Sequence, residues 1–273
     1  MAWRRSAPTV GADRADADRA DSNERISTVR LNTRQWGDGD RTALLVHGIM
    51  SDSRTWRRVG PALAALGYRV VAVDLRGHGG SGPGVPEGGG RGEAHDRYSP
   101  ELYADDLVET LPQGVELAIG HSLGGLALAG AVERLSPRHA VYVDPAWRFA
   151  RPDEGFDPVQ VFIQFAERAT PSLVAVLNPR WEPTDIEIEL ESMAVWDRAA
   201  ATALLPLAGQ RLLPAKAAVP SLVLAADPSR LVPAEDAALL RERGFEVRTV
   251  PGTGHSIHRD DFDGFMTALE GWI

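Results

Sequence analysis

The run Gly120-His121-Ser122-Leu123-Gly124 is where the sequence points most directly to chemistry. It has the form G-x-S-x-G, with an apolar segment before it and a helical pattern after it. A serine in that frame stands on a sharp strand-to-helix turn with its hydroxyl projecting. The glycines on both sides let strand and helix approach closely. The N–H of Leu123, opening the helix, can donate to a developing oxyanion. A hydroxyl is a weak nucleophile until a base takes its proton. Of the seven histidines, His255 lies between the last strand pattern and the last helix pattern, so its loop opens at the same sheet edge as Ser122. His258 is the second candidate base. The order serine then histidine fits a Ser–acid–His triad. His47-Gly48-Ile49-Met50 follows an earlier strand pattern, and the N–H of Ile49 is the expected second oxyanion donor. His47 and His121 are expected to hold loops through hydrogen bonds, and His78, His95 and His139 read as loop or strand-start residues.

Positioning these groups requires a framework, and its punctuation is readable. Short apolar runs occupy 42–48, 69–74, 115–120, 139–144, 221–227 and 246–250. Helical spacing appears over 54–66, 100–111, 124–135, 234–243 and 261–272. Valine- and leucine-rich strands alternating with helices imply a parallel sheet covered on both faces, an α/β fold. The alternation breaks over 145–219, a segment with Trp147, Trp181 and Trp196 and with helical but not strand periodicity. It is expected to be a helical cap over the edge where open α/β sheets bind ligands. The core is then 26–144 and 220–273. Residues 1–25, with five acidic and five basic side chains and no apolar stripe, are expected to be a disordered tail.

Composition excludes much else. There is no cysteine, hence no disulfide, thiolate nucleophile or thiolate metal site. The net charge of −9 argues against nucleic acid or an anionic membrane as main partner. There are 28 arginines and a single lysine, Lys216, which is the one candidate for Schiff-base chemistry. No apolar run is long enough to span a bilayer and none marks a secretory signal, so a cytoplasmic location is expected. His255-x-x-His258 alone is a poor metal signature, and no metal is expected. Gly77 to Gly82 formally matches G-x-G-x-x-G, but prolines and further glycines follow where a dinucleotide site needs a helix. A tight loop is expected there.

Taken together, Leu44 to Gly48, Trp56, Asp74 to Gly82, the elbow at Ser122 and Gly254-His255 resemble the α/β-hydrolase superfamily, in its cofactor-free, cap-bearing branch. The resemblance spans about residues 38–273. It implies an eight-stranded, mostly parallel sheet with the cap inserted after the sixth strand. It also implies that Asp74 and Arg76 support their own loop. The family acid usually follows the seventh strand, in a pattern ending x-x-V-P. Alignment on Val232-Pro233 puts Ser229 there instead. Two acids stay open: Asp144, ending the sixth strand, and Asp227, two positions early. Asp105-Asp106 and Asp236 lie on helix patterns and are expected at the surface.

The expected reaction is acyl transfer to Ser122, with hydrolysis of an ester, lactone or thioester small molecule. Serine rather than aspartate at the elbow argues against epoxide hydrolase and haloalkane dehalogenase chemistry. C–C bond hydrolysis and perhydrolase activity use the same triad, and a non-hydrolytic cyclase or ligand-binding relative is the alternative from another class. Met50, Trp147, Trp181 and Trp196 are the expected substrate-binding residues, favouring an apolar or aromatic group. The sequence leaves the oligomeric state open.

Overall fold

The computed structural model describes residues 28–82, 97–149 and 158–273. The expected tail at 1–25 and His95 lie outside them. The strand runs are dominated by residues whose alternate side chains go to opposite faces. In β2 (Arg41–Val46), Leu44 and Val46 join one apolar cluster while Ala43 and Leu45 join the other. The same division holds along β3 (Tyr68–Val73), β4 (Leu117–His121), β5 (His139–Val143) and β6 (Ser221–Ala225). With β1 (Thr33–Trp36) and β7 (Glu246–Thr249) they make one sheet in the order β1-β3-β2-β4-β5-β6-β7. Every pairing is parallel except β1 with β3.

The count departs from the eight strands expected: seven form among the described residues, and the helical segment follows the fifth of them. One of the seven, β1, escaped the sequence reading. It is short, mostly polar and largely exposed, and an edge strand paired on one side needs no apolar run.

Helices cover both faces. Helix α1 (Val59–Ala65) sits on one; α2 (Pro100–Thr110) and α3 (Leu123–Leu135) sit together on the other. Ser99 caps α2 by accepting from the Leu102 N–H, with Pro100 in the first turn. The segment between β5 and β6 forms α4 (Pro158–Arg168), α5 (Pro171–Leu177), α6 (Pro183–Val195) and the short α7 (Ala199–Thr202). Its one strand-like feature among the described residues is an isolated bridge between Arg148 and Arg211. Helix α8 (Ala234–Glu242) leads to β7. The chain ends through α9 (Ile257–Asp260) and α10 (Phe262–Ala268). No helix among the described residues is long and apolar enough to cross a membrane.

The helical insertion is fastened to loops at the carboxyl ends of the strands by opposite charges. Arg57, after the 3₁₀ turn Ser53–Trp56, pairs with Asp185 at 2.8 Å and with Glu182. Arg54 pairs with Glu191, and Ser192 donates to Asp52 at 2.7 Å. Arg259 of α9 reaches Glu189 at 2.6 Å. Near β3, the N–H of Asp197 donates to the Gly77 carbonyl, and Tyr98 donates to the Asp197 carboxylate at 2.6 Å.

Two carboxylates expected at the surface are buried. Asp106 accepts from Arg76 Nε and Nη2, each at 2.5 Å, and neither side chain is exposed. The burial pushes the Asp106 carboxyl up against the pull of Arg76. Arg76 therefore ties its loop to α2 rather than to Asp74. Asp236 is likewise buried, between Arg148 and Arg211. In both cases the arginine comes from a distant part of the chain, so helical spacing alone marked these acids as solvated.

Candidate active site

The sheet order reverses between β2 and β4, which are neighbours although β3 lies between them in sequence. Ligands bind outside the carboxyl ends of strands at such a switch point. Gly48 follows β2 and Ser122 follows β4. They approach so closely that a Cβ at position 48 would lie 3.0 Å from the serine Cβ.

Ser122 has φ 52 and ψ −117, a positive φ that costs a non-glycine residue about 1–3 kcal/mol and persists only where the surroundings impose it. Here they do. Ser122 N–H is held by the Val143 carbonyl at 3.0 Å, and its own carbonyl takes the N–H groups of Gly125, Leu126 and Ala146. A side chain at Gly124 would come within 2.4 Å of the Val46 carbonyl oxygen. Leu123 is the first residue of α3, so its N–H has no carbonyl within the helix to bond.

The turn after β2 is set by His47. The Leu75 N–H donates to His47 Nε2 at 2.9 Å, so the ring proton sits on Nδ1 and donates to the Gly48 carbonyl at 2.7 Å. Burial lowers the His47 pKa and keeps the ring neutral, as this arrangement needs. The peptide between residues 48 and 49 is trans, so the N–H of Ile49 points opposite to that carbonyl. Met50, the next residue, is buried with φ 64.

His255 donates from Nδ1 to Asp144 Oδ2 at 2.7 Å. Asp144 is 2% exposed, and its other oxygen accepts from the Ser229 hydroxyl at 2.5 Å and the Ala226 N–H at 3.3 Å. Ser229 in turn accepts from the N–H groups of Leu231 and Val232. Thus Ser229, at the position where an acid was expected, supports the carboxylate of Asp144 from the strand before. Its signal was the missing carboxylate ahead of Val232-Pro233, but only the fold could say which way it faces. The other candidate, Asp227, is exposed and accepts from the Gly252 N–H at 3.1 Å.

The elbow and the histidine loop are linked directly. His121 donates from Nε2 to the His255 carbonyl at 3.0 Å, and the two rings lie 4.7 Å apart. His258 is buried, stacked on Trp56 at 4.4 Å, and meets His121 edge-on at 5.1 Å. Burial, then the charge of Arg259, holds the His258 pKa well below its usual value, and burial likewise lowers that of His121. His258 is therefore a neutral packing ring, distinct from the half-exposed His255. Around Gly77–Gly82 the only regular element is the 3₁₀ turn Gly79–Ser81. Asp74 supports it by accepting from the N–H groups of Ser53 and Gly80. His78 is buried and its pKa is pushed down to about 3 by that burial. His139 donates to the Trp272 carbonyl at the far end of the sheet.

The tryptophans divide differently from the expectation. Trp147 is fully buried against Tyr142 and Phe245, with ring centroids 4.9 and 6.0 Å away. It packs the insertion onto the sheet. Trp196 is buried over His78 at 6.3 Å. A long apolar insertion must pack itself before it can line anything, and these two rings do that. Trp181 alone is partly exposed; its indole N–H donates to Asp260 at 2.9 Å.

Comparison with known proteins bears on the family and the fold. Residues 43–268 match the family described as "Alpha/beta hydrolase family". Over 152 residues the chain is 34% identical to "Probable esterase PIR7A" of Oryza sativa subsp. indica, covering 54% of this chain and 55% of that one. It is 33% identical to "Methylesterase 2" of Arabidopsis thaliana, covering 47% and 46%. The matched stretch thus spans about half the length of these curated relatives. Among solved structures, the enol-lactonase from Burkholderia xenovorans LB400 aligns with a TM-score of 0.64 at 18% identity, covering 89% of this chain and 95% of that one. At that identity the likeness is one of fold.

Proposed function

The chain belongs to the alpha/beta hydrolase family, and on that premise we propose that it is a serine hydrolase cleaving a small carboxylic ester, lactone or thioester through an acyl-enzyme on Ser122. The observation that carries the proposal is the contact between His255 Nδ1 and the buried Asp144 carboxylate. A carboxylate fixed by two further donors has one task left, to orient the ring and stabilise its charged form. That leaves Nε2 of His255 to take the Ser122 proton as the hydroxyl attacks the substrate carbonyl. The oxyanion is received by the N–H groups of Ile49 and Leu123. His255 then protonates the leaving group, activates water, and the acid is released.

In this proposal residues 145–219 form a cap over the site. Met50 is its substrate-facing residue, while Trp147 and Trp196 serve packing. The names of the rice and Arabidopsis relatives and of the lactonase favour an ester or lactone.

The test is labelling by a small fluorophosphonate together with hydrolysis of aryl esters. The wild-type chain is expected to take one label, at Ser122, and Ser122→Ala none. Ser122→Ala and His255→Ala should each lower kcat by at least about a thousandfold, the scale of triad losses elsewhere. Hydrolysis by Ser122→Ala at the wild-type rate overturns the proposal.

A further inference from the structure

His255 is half-exposed and extends from a loop, so its direction depends on how that loop is held. The core holds it through His121, which donates to the His255 carbonyl. A second support comes from the helical insertion. The Gly254 N–H, one residue before the base, donates to Asp260 Oδ2 at 2.6 Å. The other oxygen of the same carboxylate accepts the Trp181 indole N–H at 2.9 Å. One carboxylate thus joins the insertion to the peptide beside the base.

The neighbouring residue repeats the connection. The Arg259 guanidinium lies 3.9 Å from the Trp181 ring, pairs with Glu189 at 2.6 Å and donates to the Asp185 carbonyl at 3.1 Å. Arg180 lies against Gly252 at the other end of the loop. A cation over an indole and a buried charged pair restrict the indole plane, so its N–H is aimed before any substrate arrives.

We propose that Trp181 and Asp260 are positioning residues for His255, so that the docked insertion helps set the direction of the base as well as enclosing substrate. This rests on the reading of Ser122 and His255 as nucleophile and base. It also gives Trp181 a role that contact with substrate would not.

The test uses Trp181→Phe, which keeps an aromatic ring near Arg259 but removes the N–H together with part of the indole. Asp260→Asn, which replaces an acceptor oxygen by a donor, is the second variant. The readouts are the rate of fluorophosphonate labelling at Ser122 and the split between kcat and KM for a small acetyl ester and a bulky aryl ester. Both variants should slow labelling and lower kcat by about five- to tenfold, the scale of one lost hydrogen bond. The factor should be the same for both esters, with KM unchanged. An effect on KM that grows with ester size makes Trp181 a substrate contact and overturns the proposal. So does a lowered melting temperature with unaltered labelling and kcat. A wild-type chain that takes no label at Ser122 overturns the underlying reading, whereas a labelled wild type with unchanged variants overturns the positioning role alone.

Discussion

Strands β5 and β6 run side by side, parallel, with Val143 opposite Leu224, and each is followed within two residues by an aspartate. The two aspartates have opposite fates. Asp144 is buried, with φ 39, and receives donors from three directions. Asp227 points to solvent and holds one turn of the histidine loop by its Gly252 N–H. Taking a carboxylate out of water costs several kcal/mol, which only good donors offset. Each hydrogen bond to a charged group returns about 1.5–3 kcal/mol. Asp144 has enough such bonds to stay buried, and one of them comes from the imidazole. Proximity of a carboxylate to a strand end therefore says little; the donors gathered around it decide its use. The contrast recurs between His255, half-exposed and paired with a buried carboxylate, and His258, which stacks on Trp56 inside.

The sharpest way to break this comparison is to neutralise each aspartate in turn. Asp144→Asn should reduce kcat by about ten-thousandfold, as when a triad acid loses its charge and forces the wrong tautomer. Steady-state ester hydrolysis checks it. A loss at Asp227 equal to that at Asp144 would reverse the assignment. Ser229→Ala, which removes one donor to Asp144, should lower kcat by about tenfold while leaving KM alone. Kinetics with two esters distinguish this from damage to substrate binding.

His258→Phe should leave kcat within about threefold, since a phenyl ring can stack where the neutral imidazole does. Its stability effect has a defined sign. The folded His258 resists protonation, whereas the unfolded ring takes a proton below about pH 6.5. Wild-type stability is thus lost as pH falls from 6.5, with His47, His78 and His121 adding to the slope. Denaturant titrations at pH 7 and 5 should show a shallower loss in the variant, by up to about 1.4 kcal/mol per pH unit. The smallest effect is expected from Asp227→Asn, within about twofold in kcat.

The sequence carried the strands whose apolar runs are buried on both faces and the elbow around Ser122, because those constraints are local. The pairing of His255 with one of two acids was readable only as a choice. Asp144 and Asp227 have similar neighbours in sequence, and the decisive donors sit at Ser229 and Ala226. The burial of Asp106 and Asp236 was unreadable for the same reason, since their arginine partners lie far along the chain. Trp147 and Trp196, two of the insertion's aromatic rings, are spent on packing it against the core.

The ion pairs that fasten the insertion are graded from dry to wet. Arg259 and Glu189 are 4% and 10% exposed, whereas Glu191 and Glu182, facing Arg54 and Arg57, are 66% and 48% exposed. Dissolved ions weaken attraction between wet charges far more than between dry ones. Rising ionic strength would thus loosen the outer margin of α6 while its root near His255 stays anchored.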